Sequence, residues 1–156
     1  MIIRQLDFYT DGAYSSKSEM GGWACICVED GKAIETRSGY EPYTTNNRME
    51  LMGFLCALEY INEIESRHTS VTIHVDSAYI ANCINDKWYL RWMKNGWRTA
   101  DRQEVKNQDL WTRIVALYIK NCSRLKLVVE KIKSHDKNQW NNYADLLAVK
   151  ARKELE

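Results

Sequence analysis

The dipeptide Asp30-Gly31 is the feature that most constrains how this chain can fold. It separates two segments rich in strand-forming residues, "GGWACICVE" and "KAIETRSGY". Because Asp-Gly adopts the backbone conformation of a two-residue hairpin turn, the two segments are predicted to pair as antiparallel strands. A segment from Leu6 to Asp11 alternates apolar and polar side chains and predicts another strand, which ends at Asp11. These three consecutive strands are expected to be antiparallel.

The second part of the chain alternates helices with strands. The predicted elements are a helix at 45–63 capped by Thr45 or Asn46, a strand at 71–75, a short helix at 79–84, a helix capped by Asn107, a strand at 125–132 and a helix at 141–155. Strands four and five each follow a helix, so they are expected to run parallel to strand one. The predicted fold class is therefore α/β, with a mixed five-stranded sheet flanked by helices.

Length and composition exclude several classes of protein. The 156 residues suit a single domain over 1–156. Charges at Arg4 and Asp7 rule out a secretory leader, and no uncharged apolar run of about 18 residues could span a bilayer. Five cysteines without a C-x-x-C pair, and three scattered histidines, predict reduced core thiols rather than disulfides or a zinc site. A soluble, cytoplasmic chain that does not bind membranes is expected.

Basic residues are concentrated in one stretch of the chain. The formal net charge is only +1, yet six basic and two acidic residues lie between Lys87 and Lys106. The sequence "WRTADRQEVKNQDLW", at 97–111, begins and ends with tryptophan and lacks regular periodicity until its last residues. A basic island on a mildly acidic body is typical of a surface that binds a polyanion.

Four carboxylates lie either at the ends of predicted strands or among apolar residues of predicted helices. Asp11 and Asp76 end strands one and four, at the sheet edge where open α/β folds place their functional crevice. Either one alone could simply cap a turn. Glu50 and Asp145 lie among apolar residues of predicted helices, where an unpaired carboxylate is costly. Such a set suits Mg²⁺, and two ions held this way can activate water for phosphodiester cleavage.

Five motifs carry a resemblance to a known family. In order, they are "YTDGAY", "TTNNRMEL", "HVDSAY", "GWRTADRQEVKNQDLW" and "YADLLA". Together they resemble the bacterial type 1 ribonuclease H family from about residue 3 to residue 150. The resemblance implies a ribonuclease H-like fold with a basic helical protrusion at about 87–106. It also implies a stand-alone catalytic domain without the additional hybrid-binding domain of some relatives.

The resemblance implies an activity and a set of catalytic residues. The expected reaction is hydrolysis of the RNA strand of an RNA–DNA hybrid by a monomer, with two metal ions, giving 5′-phosphate and 3′-hydroxyl ends. Asp11, Glu50, Asp76 and Asp145 match the family's carboxylates that bind Mg²⁺, for which Mn²⁺ can substitute. His135 matches a loop histidine that assists proton transfer or product release.

The resemblance also assigns contacts with the RNA–DNA hybrid. Tryptophans of the basic stretch are expected to stack on deoxyribose, basic residues to neutralise phosphates, and the asparagines of "TTNNRMEL" to reach the minor groove. The expected contacts are Thr45, Asn46, Asn47, Trp88, Trp92, Lys94, Trp97, Arg98, Lys106 and Asn107. Trp111 is the exception: it lies beside Leu110 in a helical pattern and is expected in the core.

Two positions depart from the family pattern, and two alternative functions stay open. The loop "YSSKSEM" lacks the family's glycine and proline, although Lys17 could reach a phosphate there, and Ala78 stands where relatives carry Gln or Met.

One alternative function is a non-catalytic hybrid-binding module, against which the four filled acidic positions argue. The other is a different nuclease or an integrase-like enzyme of the same superfold, for which the tryptophan-rich basic insertion would be unexpected.

Overall fold

Within residues 4–133 and 139–154, which the computed structural model describes, the chain forms five strands and five helices. The elements are β1 (Arg4–Tyr14), β2 (Gly21–Glu29), β3 (Lys32–Glu41), α1 (Asn46–Glu63), β4 (Thr69–Val75), α2 (Ala78–Asn85), α3 (Trp88–Lys94), α4 (Gln108–Cys122), β5 (Lys126–Lys131) and α5 (Gln139–Lys153). In these two ranges no helix combines the length and the apolar character that crossing a bilayer requires.

The strands form one mixed sheet in the order β3-β2-β1-β4-β5. β2 pairs antiparallel with both β1 and β3, whereas β4 pairs parallel with β1, and β5 parallel with β4. The predicted sheet is thereby confirmed. At the β2–β3 turn, Asp30 and Gly31 have φ angles of 52° and 75°, the left-handed backbone that a two-residue hairpin turn of this kind requires.

β1 is longer than the sequence predicts. The alternation of its side chains predicts an end at Asp11, but the strand continues to Tyr14 because β2 keeps pairing with it as far as Gly21. The pairing of β1 with β4 stops earlier, at Tyr9. Asp11 therefore lies in regular strand on the β2 side, while its other side is no longer paired with β4.

Two helix starts differ in how they are capped. The Thr45 side chain caps α1 by accepting a hydrogen bond from the Arg48 backbone N–H at 3.2 Å, as predicted. Asn107 precedes α4 as expected, but its side chain makes no capping hydrogen bond. The Asn107 backbone is left-handed, and its Oδ1 accepts instead from the Arg48 guanidinium at 3.3 Å. The capping role predicted for Asn107 is therefore wrong.

Helices cover both faces of the sheet. Neighbouring residues of a strand point to opposite faces, so Phe8 joins the large core beneath α1, α2 and α4, whereas Tyr9 joins a smaller cluster with Ala144 of α5. Trp111 is fully buried in the large core, which confirms its predicted place. With α5 on one face and α1 on the other, side chains from both layers can reach the sheet edge where β1 and β4 separate.

Candidate active site

The two aspartates predicted at strand ends lie at the same edge of the sheet. Tyr9 of β1 pairs with His74 of β4, and Asp11 and Asp76 each follow two residues later. This parallel register therefore sets the two aspartates level on strands that are about 4.8 Å apart where they pair. Asp11 is only 8% exposed, and its Oδ1 accepts a hydrogen bond from the Gly12 N–H at 2.9 Å.

Two glycines allow α1 to bring Glu50 to this edge. A Cβ atom at Gly12 would lie 2.5 Å from the Glu50 backbone nitrogen and 2.5 Å from the carbonyl carbon of Met49. A Cβ atom at Gly53 would lie 3.0 Å from the Asp11 carbonyl oxygen. Because both neighbours of the first position are backbone atoms that cannot move aside, only glycine at position 12 allows this close contact between strand and helix.

α5 adds Asp145 from the opposite face of the sheet. Ala144 and Ala148 of this helix are fully buried against β1 and β2, while Asp145 itself is exposed. Its carboxyl group nevertheless forms a hydrogen bond with the Asp11 carboxyl group. Asp11 therefore has Glu50 on one side and Asp145 on the other. The four predicted carboxylates come from four separate parts of the chain to one edge of the sheet.

Burial and like charges raise the pKa values of the two central carboxyl groups. Burial, followed by the charge of Asp145, raises the pKa of Asp11 to about 7, although the Gly12 N–H acts in the opposite direction. Burial, followed by the charges of Asp11 and Asp76, raises the pKa of Glu50 to about 9. Ionising the whole cluster is unfavourable unless positive charge is supplied.

These pKa values predict that the metal-free protein loses stability as pH rises. In the unfolded chain Asp11 and Glu50 ionise near 3.8 and 4.5, but in the folded protein near 7 and 9. Between about pH 4 and pH 9 the folded state keeps protons that the unfolded state has released, so raising the pH favours unfolding. Thermal unfolding in chelator should show the decline, and Glu50→Gln should make it shallower. An unchanged pH dependence in that variant would contradict the prediction.

The chemistry of the carboxylate cluster fits a hard divalent cation. Carboxylate oxygens are the protein ligands that Mg²⁺ prefers. Among the residues that the structure describes, no three His, Cys, Asp or Glu side chains are grouped closely enough to hold one ion. Asp11 instead forms pairwise hydrogen bonds with Glu50 and Asp145. Each such bond requires a proton on one partner, and a bound cation would make that proton unnecessary.

Three further predicted positions have different outcomes. His135 falls in segment 134–138, outside the described residues. Lys17 is exposed in a tight loop, where the Ser15 N–H donates to the Met20 carbonyl at 3.0 Å. Ala78 is exposed as the first residue of α2. The loop and Ala78 are thus accessible from solvent.

The tryptophans of the basic stretch do not share one environment. Trp88 is 40% exposed, whereas Trp92 is 7% exposed and packs 5.4 Å from Trp111, centroid to centroid. Trp97 is partly buried, 6.0 Å from Trp92. α3 therefore turns most of Trp92 toward the core, and its contact with deoxyribose stays a prediction that only a small exposed part of the ring could make. Of these three tryptophans, Trp88 has the largest exposed fraction. The Trp92 ring packs edge-on against it, with 6.5 Å between the ring centroids.

Two cavities collect most of the predicted substrate contacts. A cavity of about 340 Å³ is lined by Tyr79, Trp88, Arg91, Trp92, Arg98, Thr99 and Ala100. A cavity of about 460 Å³ is lined by Thr45, Asn47, Tyr79, Thr99, Asp101, Gln103, Glu104, Val105, Lys106 and Asn107. Tyr79 and Thr99 line both, so the cavities adjoin. Asn46 and Lys94 line neither, and both are exposed.

Several residues of the basic stretch have left-handed backbone angles that hydrogen bonds stabilise. Lys87, Trp97, Arg102 and Asn107 all have φ between 56° and 64°. A left-handed backbone costs a non-glycine residue about 1–2 kcal/mol. The turns are held in place by hydrogen bonds, including Trp97 N–H to the Trp92 carbonyl at 2.7 Å and Val105 N–H to the Trp97 carbonyl at 3.0 Å. Retained strain of this kind is common at binding sites.

Arg48 is a site residue that the sequence did not indicate. Its guanidinium donates to both Asp109 carboxylate oxygens, at 3.0 and 2.7 Å, and to Glu41 at 2.8 Å. It also donates to Asn107, so it ties the start of α1 to the start of α4. The Asp109 partner is 61 residues away along the chain, so no local pattern could have indicated the contact.

Comparison with known proteins agrees with this architecture. The family model for RNase H matches residues 4–153. Ribonuclease H of Chlorobaculum parvum is 42% identical over 151 residues, which cover 97% of both chains. Ribonuclease H of Caldicellulosiruptor saccharolyticus is 38% identical over 154 residues, covering 98% of this chain and 99% of that one.

Solved structures show the same fold at lower identity. The PFV RNase H domain superimposes with a TM-score of 0.78 at 20% identity, covering 97% of this chain and 96% of that one. LC11-RNase H1 in complex with an RNA/DNA hybrid gives 0.69 at 19% identity, with coverages of 96% and 98%. At this level of identity the solved structures show only a shared fold. The family model and the relatives at 38–42% identity match nearly the whole chain in sequence as well. The chain therefore belongs to the ribonuclease H family.

Proposed function

We propose that this chain is an endonuclease that hydrolyses the RNA strand of RNA–DNA hybrids, giving 5′-phosphate and 3′-hydroxyl ends. The observation that carries the proposal is the convergence of Asp11, Glu50, Asp76 and Asp145 at one sheet edge. Relatives that share about two-fifths of its residues are named ribonuclease H. A protein of the same fold has been solved with an RNA/DNA hybrid bound, which supports the choice of substrate.

The four carboxylates would hold two Mg²⁺ ions, for which Mn²⁺ can substitute. When bound, the ions supply a nucleophilic water at neutral pH and stabilise negative charge on the leaving oxygen. Asp11 is held by the Gly12 N–H and lies between Glu50 and Asp145, so its carboxylate would contribute to holding the ions together with either neighbour. Because the pKa values of Asp11 and Glu50 are raised, these two carboxyl groups would release protons if a cation were bound near neutral pH.

We assign His135 a role in proton transfer to the leaving 3′-oxygen or in product release. A histidine titrates near neutral pH and can both donate and accept a proton there. The residue lies between β5, whose last residue is Lys131, and α5, which carries Asp145. Because most of the charge stabilisation would come from the metal site, His135 is proposed as an assisting group.

The start of α1 links substrate recognition to the carboxylate cluster. Asn46 and Asn47 precede Glu50 by four and three residues, so their side chains share its helix face. Both asparagines are exposed, and their amides can donate to and accept from a ribose 2′-hydroxyl. Asn contacts in the minor groove would thereby place an RNA strand beside Glu50, and this proximity would favour cleavage of RNA over DNA.

The basic stretch at about 87–106 would hold the DNA strand as a protrusion. Trp88 offers its exposed ring to a deoxyribose, and Arg98 lines the same cavity. Lys106, with Asn107 and Thr45, lines the adjoining cavity and would bind a phosphate. Asp101 and Glu104 face that second cavity too. Their negative charge would restrict a phosphate to the part of the cavity nearest Lys106.

Three matched duplexes test the proposed activity directly. With Mg²⁺, the protein is expected to cut the RNA strand of an RNA–DNA hybrid and to leave an RNA duplex and a DNA duplex of the same sequence intact. End-labelled products should carry 5′-phosphates. Binding of the hybrid without cleavage would favour a non-catalytic binding module, and comparable cleavage of DNA would favour another nuclease of the same superfold.

Removing three charges of the basic stretch should change the salt dependence of hybrid binding. The variant Lys94→Ala, Arg98→Ala, Lys106→Ala is expected to bind more weakly. Its plot of log affinity against log salt should be shallower by about 0.9 for each phosphate that the variant no longer neutralises. Labelled hybrid and fluorescence anisotropy in chelator provide the measurement. The control variant Lys32→Ala, Lys120→Ala, Lys126→Ala removes three exposed lysines elsewhere and should keep most of the slope. Equal slopes in the two variants would contradict the assigned surface.

A further inference from the structure

Two thiols meet between the sheet and α1. The Sγ atoms of Cys25 on β2 and Cys56 on α1 are 3.2 Å apart, and both thiols are free. A disulfide bond of about 2.05 Å would require the two sulfur atoms to approach by a little over 1 Å. The sequence predicts reduced core thiols, because the five cysteines form no C-x-x-C pair and several lie in apolar segments. The fold instead makes them neighbours.

Only one of the two thiols can be reached from solvent. Cys56 is half-buried and lines a surface cavity of about 680 Å³ together with Arg37 and Arg113. Cys25 is 3% exposed and does not line this cavity. A small thiol-reactive molecule entering the cavity would therefore meet Cys56 first, with Cys25 directly behind it.

The hydrogen bond between the thiols divides their chemical roles. The thiol of Cys25 donates to the sulfur of Cys56 and so lowers the pKa of Cys56, and the positive charge of Arg37 acts in the same direction. The same hydrogen bond, together with burial, raises the pKa of Cys25. The accessible thiol of Cys56 therefore ionises more readily than that of Cys25. The thiolate is the form that attacks other sulfur atoms.

We propose that Cys25 and Cys56 form a dithiol site that exchanges with low-molecular-weight disulfides to give a reversible Cys25–Cys56 disulfide. The Cys56 thiolate attacks one sulfur of the small disulfide, whose S–S bond breaks and releases one thiolate. Cys25 then loses its proton and attacks the Cys56 sulfur of the mixed disulfide, which releases the second thiolate. The protein gives up two electrons and two protons, and the small disulfide is reduced to two thiols.

The remaining cysteines provide an internal control. Cys27 and Cys83 are buried, whereas Cys122 is exposed near the end of α4. The hydrogen-bonding neighbour of the Cys122 thiol is the Tyr118 hydroxyl rather than a second thiol. Cys122 should therefore accept a mixed disulfide and keep it, since no resolving thiol stands beside it.

Oxidised glutathione and the native, folded protein test the proposal. After acid quenching and non-reducing peptide mapping, wild type should yield a peptide linked through Cys25 and Cys56 that has lost two hydrogens. A glutathione adduct is expected at Cys122, and a reductant should reverse both products. Cys122→Ser should lose the adduct and keep the linked peptide.

Two variants separate the roles of the paired thiols. Cys25→Ala lacks the resolving thiol and should retain glutathione on Cys56. Cys56→Ala should show neither the linked peptide nor an adduct on the buried Cys25. Circular dichroism establishes that each variant is folded before it is compared. In wild type, which needs no substitution, glutathione on Cys122 without any Cys25–Cys56 link would overturn the proposal, as would a link that forms only in denaturant.

Discussion

Replacing Asp11 with Asn is expected to slow hydrolysis of the hybrid's RNA strand by on the order of a hundredfold or more. Asparagine keeps the size of the side chain and an oxygen for the Gly12 N–H, but it carries no negative charge. Asp11 lies against both Glu50 and Asp145, so its charge would be needed wherever a cation binds in the cluster. Single-turnover cleavage at saturating Mg²⁺ measures the loss.

The same substitution should leave the protein folded. Asp11 is buried among like charges, so removing its charge is expected to maintain or raise the thermal unfolding temperature of the metal-free protein. Asp30→Asn is the matched control, because Asp30 lies in the exposed hairpin turn at φ 52°, a backbone conformation that asparagine tolerates. It should cut at the wild-type rate. A wild-type rate in Asp11→Asn would show that the carboxylate cluster is not the catalytic centre.

Gly12→Ala is expected to disturb both stability and activity, by about 1–3 kcal/mol of unfolding free energy and by a large loss of cleavage. The added methyl carbon would lie 2.5 Å from the Glu50 backbone nitrogen, so α1 must shift away from β1. That shift displaces the Glu50 carboxylate from Asp11. Urea unfolding and single-turnover cleavage of the purified variant provide the two measurements.

Gly31→Ala controls for the loss of glycine itself. A Cβ atom at Gly31 would meet nothing within 4 Å, but its φ of 75° is unfavourable for alanine. This variant should lose about 1 kcal/mol of stability through backbone strain and retain cleavage. If Gly12→Ala is no more harmful than Gly31→Ala in either measurement, the close approach of β1 and α1 does not control the position of Glu50.

Arg48 explains why the carboxylate cluster and the basic stretch can cooperate. It stands two residues before Glu50 on α1, and its guanidinium holds both Asp109 and Asn107 at the start of α4. Asn107 in turn closes the basic stretch and lines the cavity that contains Lys106. A single side chain thereby fixes the surface proposed to bind DNA relative to the helix that carries a catalytic carboxylate.

Local patterns in the sequence were sufficient for the sheet and for four of the five described helices, but they did not indicate α3. The hairpin at Asp30-Gly31, the helix at 46–63 and the parallel β4 and β5 were all predictable, because turn chemistry and side-chain periodicity reflect backbone preferences within a few residues. The same periodicity indicated that Asp76 follows the end of β4 and that Asp11 lies near the carboxyl end of β1, although β1 continues to Tyr14. Their convergence with Glu50 and Asp145 could be expected only through the family resemblance, since those two residues reach the edge on separate helices.

The tertiary structure alone decided where β1 ends, how Trp92 is oriented and which distant residues meet. β1 continues to Tyr14 because β2 supplies hydrogen-bonding partners, and α3 turns Trp92 toward Trp111 rather than toward solvent. The Cys25–Cys56 pair likewise exists only after α1 has packed on the sheet. Raised pKa values and contacts between distant residues depend on the packing of segments tens of residues apart. Periodicity over one turn or one strand shows which face of an element is apolar, but not which other segment packs against it.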